Sequence, residues 1–284
     1  MSGSREDGGT VARQLEIRPT RAKALAAAAG LVVSAAAEAA RARGRFSIAL
    51  AGGETPRGLY QLLASAPFAT RVDWSRVQVF WGDERCVPPT DAESNFRMAR
   101  EALLDHVPVL PEDVHRIRGE DEPAAAAAAY ERLLRETFAG GSSIVGPSTA
   151  GPSTAGPSTA GPSTAGSAAA GPEQTFDLTL LGLGPEGHTA SLFPGGVAVS
   201  QSARWVVAEK IPQLGRWRVT LAPVVLNASA TVMFLVLGSE KAEIVQRVFH
   251  EPRNPELLPA QAIAPRTGRL VWVLDAAAGE GIRG

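Results

Sequence analysis

Residues 180–194 read LLGLGPEGHTASLFP and contain the transition that decides the fold. The apolar run at the start is typical of a β-strand that is covered on both faces. The glycines that follow match the dinucleotide-binding pattern G-x-G-x-x-G, but that pattern must open a full helix, and Pro194 ends this segment too soon. The stretch therefore predicts a buried strand followed by one short turn of helix that presents His188.

The same transition recurs along the chain. Short apolar runs alternate with helical patterns, which predicts an α/β fold with a mostly parallel sheet and helices on both faces, a Rossmann-like three-layer α/β/α sandwich. Ligands bind such sheets at the carboxyl ends of the strands. The predicted strands are 46–51, 77–81, 176–183, 205–208, 231–237 and 270–274, and the predicted helices are 21–43, 56–65, 93–104, 123–138 and 239–249.

A low-complexity insertion interrupts this pattern. The pentapeptide GPSTA occurs four times in tandem from residue 146, and a degenerate copy, GSAAA, ends at residue 170. Regular prolines prevent helix and sheet pairing, and the segment has no large side chain whose burial could offset the entropy of ordering. We therefore predict a disordered insertion at 146–170 within a single domain at 11–280, preceded by a flexible tail at 1–10.

Bulk composition narrows the class of protein. The 28 Lys and Arg residues against 29 Asp and Glu give a net charge of -1, which argues against nucleic-acid partners and anionic membranes. The single cysteine, Cys86, excludes an internal disulfide and fits a cytoplasmic protein. The uncharged stretch 24–37 is shorter than the roughly 20 residues of a membrane-spanning helix, so we expect no membrane partner.

Two predicted strands end in turns that could bind a ligand. Gly52 and Gly53 precede a helix whose N-terminal cap is expected to be Thr55, and free amides at such a helix start favour phosphate. The alternative is an ordinary tight turn. Asp83 and Arg85 follow the next strand, where charged side chains indicate either solvent or a polar pocket.

His188 is the main candidate for catalysis. It lies on a glycine-lined turn, with Glu186 two residues before it. An imidazole can take a proton from water near neutral pH, and a neighbouring carboxylate can orient it. A lone histidine is more often structural, but this setting favours a general base. The chain has no histidine at helical spacing from His188 and no G-x-S-x-G motif, so we expect neither a metal nor a serine triad.

Arg218 and Lys241 are candidate phosphate-binding residues. Arg218 precedes an alternating Val-Thr-Leu segment, and Lys241 lies in the first turn of a predicted helix, where the helix dipole disfavours a cation. Both can form charge-assisted bonds to phosphate. Either could equally be a solvated surface cation.

Taken in order, these turns resemble the 6-phosphogluconolactonases of the glucosamine-6-phosphate isomerase-like superfamily, over nearly the whole chain outside the insertion. The most specific motif is GHTASLFP at 187–194. The acidic residue before it, GDER at 82–85 and the Gly-Gly-x-Thr turn also match, as does the Ser94-Asn95 pair, where Ser94 is expected to cap a helix. Glu54, which stands where the family usually has serine, and Pro185 depart from the family pattern.

The resemblance implies hydrolysis of 6-phospho-D-glucono-1,5-lactone to 6-phospho-D-gluconate, a step of the oxidative pentose phosphate pathway that needs no cofactor. It implies that His188 is the general base. The implied catalytic residues are His188, Glu186, Arg85 and Asp83, and the implied phosphate- and substrate-binding residues are Gly52, Gly53, Thr55, Arg218 and Lys241.

Two other functions compete with this one. The isomerase and deaminase branch of the superfamily, which acts on glucosamine-6-phosphate, carries Asn-Glu-Pro after the histidine segment, whereas this chain reads SLFP at 191–194. A non-catalytic sugar-phosphate sensor would keep the phosphate site and lose the base, and the presence of both Glu186 and His188 argues against it.

Deletion of residues 146–166 should leave folding and activity intact, because this segment has no apolar anchor and does not follow a predicted strand. A shorter loop also costs less closure entropy. The melting temperature and the rate of lactone hydrolysis of the deletion variant should match those of the full chain. An insoluble or inactive variant would show that the insertion is more than a filler.

Overall fold

The computed structural model describes residues 13–138 and 172–282. The predicted insertion at 146–170 and the predicted tail at 1–10 lie outside these ranges. The described residues form a six-stranded sheet, a three-stranded sheet and the helices around them. In chain order the elements are β1 (Arg13–Arg18), α1 (Arg21–Arg43), β2 (Phe46–Leu50), α2 (Glu54–Leu63), β3 (Val77–Trp81), β4 (Asp83–Arg85), α3 (Asn95–Ala102), α4 (Pro123–Phe138), β5 (Leu178–Leu181), β6 (Val206–Ile211), β7 (Arg216–Leu221), α5 (Pro223–Leu226), β8 (Thr231–Val236), α6 (Ala242–His250) and β9 (Arg269–Asp275).

The six-stranded sheet has the order β1-β9-β8-β5-β2-β3, and all its pairs are parallel. Every residue of β2, β5 and β8 is buried. Because successive side chains of a strand point to opposite faces, both faces of the sheet are covered. This confirms the predicted parallel α/β fold. From the adjacent strands β2 and β5, the chain extends to β3 on one side and to β8 and β9 on the other, so a crevice is expected at their carboxyl ends.

The second sheet, β4-β7-β6, is antiparallel and was not predicted. The segment 205–208 was expected to join the parallel sheet, but it begins β6 and pairs with β7 instead. Several residues of β6 and β7 are only half-buried or exposed. Polar residues on such strands break the continuous apolar pattern by which the parallel strands were recognised.

Helix α1 has the predicted bounds. Thr20 caps its start, since its Oγ1 accepts a hydrogen bond from Lys23 N at 3.3 Å, and Gly44 ends it with a φ of 74°. By length and hydropathy α1 could cross a membrane. It packs instead against β1, β2, β9 and α2, and its buried side chains are alanines and valines. Its apolar composition is therefore that of a core helix.

The start of α2 differs from the prediction. The helix begins at Glu54, and its N-cap is Gly53. Gly53 has a φ of 101°, a backbone conformation that residues with a side chain rarely adopt. Thr55, the expected cap, lies inside the first turn. The expected cap of α3 is confirmed, because Ser94 Oγ accepts a hydrogen bond from Arg97 N at 3.1 Å.

Asp177 ties the start of β5 to the start of β2. Its Oδ2 accepts hydrogen bonds from Ser47 N at 2.7 Å and from Ser47 Oγ at 3.0 Å, and Arg43 at the end of α1 pairs with Oδ1. The Asp177 carboxylate is buried. One side chain therefore fixes the relative position of β2, β5 and α1.

Asp177→Ala should lower the free energy of unfolding by about 1.5 to 3 kcal/mol, the usual value of a hydrogen bond to a charged group. The loss arises because Ser47 N stays buried without its acceptor. Urea unfolding followed by circular dichroism measures it. The matched control is Glu101→Ala, which removes the exposed ion pair with Arg97 and should leave the urea midpoint unchanged. Equal midpoints for the two variants would contradict the assigned role of Asp177.

Candidate active site

The carboxyl ends of four neighbouring strands, β8, β5, β2 and β3, surround one cleft of about 300 Å³. Within the described ranges, no group of three or more His, Cys, Asp or Glu side chains is placed to hold a metal ion. The cleft brings together most of the residues predicted from the sequence, but Glu186 and Arg218 do not line it. The predicted residues that line the cleft are Gly52, Gly53, Thr55, Asp83, Arg85, His188 and Lys241.

The Gly52-Gly53 turn is held by Tyr60 of α2. The Tyr60 hydroxyl accepts a hydrogen bond from Ala51 N at 2.9 Å and donates one to Ala51 O at 2.7 Å. A β-carbon on Gly52 would lie 1.9 Å from Oδ1 of Asn95, so a larger residue would displace Asn95 from the cleft. The first N–H groups of α2 have no acceptor within the helix, and they border the cleft next to Thr55.

The three charges that follow β3 separate into two roles. The buried Asp83 carboxylate accepts a hydrogen bond from Ser191 Oγ at 2.6 Å, and Asn95 Nδ2 donates to Asp83 O at 2.9 Å. Glu84 instead accepts from the backbone N–H groups of Asn95 and Phe96, at 2.7 and 2.8 Å, at the start of α3. Ser191 was not predicted as a partner of Asp83, because nothing in the sequence relates positions so far apart.

The buried Glu84 carboxylate is an anchor for α3. Burial raises its pKa, while the hydrogen bonds from the backbone N–H groups of Phe96, Asn95 and Arg85 act in the opposite direction. Ser94 Oγ also donates to it, at 3.1 Å. The Glu84 carboxylate therefore accepts hydrogen bonds from the free N–H groups at the start of α3. It does not line the cleft, whereas Asp83 and Arg85 do.

His188 lies on a tight turn and not on the short turn of helix that was predicted. Gly184 N donates to His188 O at 2.8 Å, Gly187 N donates to Gly184 O at 3.0 Å, and Thr189 Oγ1 donates to Gly182 O at 2.8 Å. Gly187 has a φ of 85°, which reverses the chain where a helix would continue. The turn therefore folds the His188 side chain back over the end of β5.

The two nitrogens of His188 have different surroundings. Nδ1 is buried and lies 3.0 Å from Oε2 of Glu186, but the geometry of this contact is not that of a hydrogen bond. Glu186 is nearly half-exposed and lies outside the cleft lining. Because Nδ1 is buried, Nε2 is the nitrogen that a molecule in the cleft can reach.

Lys241 reaches the cleft from the end of β8. It lies in a 3-10 turn, Ser239–Lys241, since α6 begins only at Ala242 and not at Ser239 as predicted. Its Nζ donates a hydrogen bond to Leu183 O at 2.9 Å, beyond the carboxyl end of β5. The ammonium group is thus held across the mouth of the same crevice that holds His188.

Arg218 lies beside the cleft. In the antiparallel sheet it is the cross-strand partner of Arg85, and its side chain lines an adjacent cavity of about 470 Å³ together with Trp217 and Cys86. Burial is the main cause that lowers the pKa of the Arg218 guanidinium, and the positive charge of Arg85 adds to it. Burial also raises the pKa of the Cys86 thiol, to about 11.

Comparisons with known proteins identify the family of the chain. Residues 19–272 match the family described as glucosamine-6-phosphate isomerases/6-phosphogluconolactonase. A 6-phosphogluconolactonase of Mycobacterium tuberculosis is 36% identical over 267 residues, which cover 92% of this chain and 95% of the relative. One of Nostoc is 33% identical over 268 residues, covering 94% and 97%.

The comparison of folds also finds a 6-phosphogluconolactonase. The structure of 6-phosphogluconolactonase from Trypanosoma cruzi has a TM-score of 0.76 against this chain, with 26% identity, and the match covers 98% of this chain and 100% of the other. The family match spans most of the chain, and the relatives are matched over nearly their whole length. The chain belongs to the family of glucosamine-6-phosphate isomerases and 6-phosphogluconolactonases.

Proposed function

We propose that this protein hydrolyses 6-phospho-D-glucono-1,5-lactone to 6-phospho-D-gluconate. The observation that carries the proposal is that a histidine with one buried and one accessible nitrogen shares a cleft with Lys241 and the open N–H groups at the start of α2. A base and an anion site therefore lie in one cavity, whose volume of about 300 Å³ suits a small ligand. The curated relatives carry the same activity in their names.

The reaction follows from the groups in the cleft. His188 Nε2 takes a proton from a water molecule, and the resulting hydroxide attacks the lactone carbonyl carbon, C1. The Arg85 guanidinium stabilises the negative charge that develops on the carbonyl oxygen. When the tetrahedral intermediate collapses, the bond from C1 to the ring oxygen breaks, and the proton on His188 passes to the leaving oxygen. Water is the only co-reactant, so the proposed reaction needs no cofactor.

The other end of the substrate binds through its phosphate. The N–H groups of the Gly52-Gly53 turn and the start of α2 favour an anion, and Lys241 adds a positive charge from the opposite side. Asp83, held by Ser191, offers a carboxylate to the sugar hydroxyls. Holding the phosphate fixes the distance of C1 from His188. The oxidative pentose phosphate pathway and the cytoplasm are the predicted setting of this reaction.

His188→Ala should lower kcat by roughly 10²-fold to 10⁴-fold, the range for loss of a general base, while 6-phosphogluconate still binds. The assay follows ester loss from freshly prepared lactone, with the spontaneous rate subtracted. The matched control is His250→Ala, which alters an exposed histidine at the end of α6 and should keep the parent rate. Near-parental turnover of His188→Ala would make His188 structural.

Three measurements on the parent protein separate the competing functions: lactone hydrolysis, ammonia release from glucosamine-6-phosphate and binding of 6-phosphogluconate. A parent protein that releases ammonia from glucosamine-6-phosphate would belong to the isomerase and deaminase branch. A parent that binds 6-phosphogluconate but hydrolyses no lactone above the spontaneous rate would be a sensor. Either result would overturn the proposed function.

Lys241→Met should raise KM about tenfold to a hundredfold with kcat less affected, because a charge-assisted bond to phosphate of about 1.5 to 3 kcal/mol acts equally on substrate and transition state. Arg218→Ala should raise KM too, because we expect the Arg218 side chain to turn from the adjacent cavity toward the phosphate of a bound substrate. Lys210→Met, which removes an exposed cation of β6, is the control. If Arg218→Ala leaves KM and inhibition by inorganic phosphate unchanged, Arg218 is a surface cation.

A further inference from the structure

The ring of Phe193 is stacked on the imidazole of His188. The ring centroids are 4.2 Å apart, and the ring planes are inclined by 23°. Phe193 is buried, and it does not line the cleft. It therefore contacts the proposed base without being placed to contact a substrate.

The imidazole needs such a contact to hold its direction. The χ2 torsion of histidine is broad, so the backbone turn alone leaves the ring free to rotate. Gly184 limits one side of the ring, since a β-carbon there would lie 2.0 Å from both Nδ1 and Cε1 of His188. The Glu186 carboxylate lies beside Nδ1 but is nearly half-exposed. Phe193 supplies the buried side-chain contact to a face of the ring.

The backbone around Phe193 is itself fixed. Leu192 N donates to Thr189 O at 2.9 Å, and Gly196 N donates to Phe193 O at 3.0 Å. Just after this residue, Gly195 N donates to Glu256 O at 2.9 Å, which joins the loop to another segment of the chain. These bonds are all formed within the protein, so they hold the backbone of Phe193 without a bound ligand.

We propose that Phe193 is a positioning residue that sets the plane of the His188 imidazole, so that Nε2 faces the water molecule that attacks C1. The catalytic meaning of this contact rests on the proposed function. The stack itself does not, because it is a contact within the protein. A rotated imidazole would still let the phosphate bind but would place the attacking water away from C1.

Phe193→Leu should lower kcat by about tenfold to a hundredfold, the effect of a displacement near 1 Å, with KM and the affinity for 6-phosphogluconate close to the parent values. Phe193→Tyr keeps the aromatic face and should restore kcat. The control Phe176→Leu removes a buried ring that packs on Phe80 and Phe138, and it should leave kcat unchanged. If Phe193→Leu does not fold, Phe193→Met takes its place, because the unbranched methionine side chain adapts better to the space left by the ring.

A second measurement reads the stack directly. The Phe193 ring current shields the ring protons of His188, so their NMR signals, assigned by their absence in His188→Ala, should move downfield in Phe193→Leu and stay in place in Phe176→Leu. If the His188 signals do not move in Phe193→Leu, the two rings are not stacked. Moved signals with parental kcat would overturn the positioning role. A parent without lactonase activity would refute the proposed function, and the NMR shift would still test the contact.

Discussion

The site depends on how the backbone groups at the carboxyl ends of β2 and β3 are satisfied. Strands that stop at one edge of a parallel sheet leave N–H and C=O groups without a partner, and buried groups of this kind are costly. Tyr60 of α2 satisfies both groups of Ala51. Tyr130 of α4 does the same for Trp81, accepting from its N–H at 2.9 Å and donating to its carbonyl at 3.1 Å. These are the only two tyrosines of the chain, and burial raises the pKa of both hydroxyls, so both stay protonated as donors. The residues that follow each strand are then free to face the cleft.

The passage from β3 to β4 explains why neighbouring charges have different roles. Gly82 N donates to Leu50 O in the parallel sheet, and Gly82 O accepts from Leu221 N in the antiparallel sheet, so the chain changes sheets at one glycine. Asp83 and Arg85 therefore lie on a strand and not on a mobile loop. Side chains alternate along a strand, so Asp83 and Arg85 face the cleft while Glu84 faces α3.

Much of the fold could be predicted because the parallel strands are buried on both faces and read as continuous apolar runs. The bounds of β3 agree with the prediction for this reason, and the bounds of the helices α1 and α4 agree with it as well. The antiparallel sheet was missed because its strands are only partly covered and one has three residues. Thr55 was wrongly expected to cap α2, and a short helix was wrongly expected at His188, because both depend on glycines with positive φ, whose conformation composition does not reveal. The predicted site residues meet because parallel strands end at one edge, whereas the direction of Arg218 depends on an antiparallel register that no local motif encodes.

The two ends of the cleft present different kinds of chemical groups to a ligand. At the proposed phosphate end the binding groups are Lys241 and backbone N–H groups, whose positions follow from Gly53 and the first turn of α2. At the proposed reacting end they are side chains, and Asp83 is held by the side chains of Ser191 and Asn95. Ser191 lies in the same turn as His188, and its 2.6 Å hydrogen bond to Asp83 joins the two motifs. Ser191 N also donates a hydrogen bond to Thr220 Oγ1 of β7, at 3.2 Å. The antiparallel sheet therefore positions the proposed reacting end of the cleft, whereas the parallel sheet positions the proposed phosphate end.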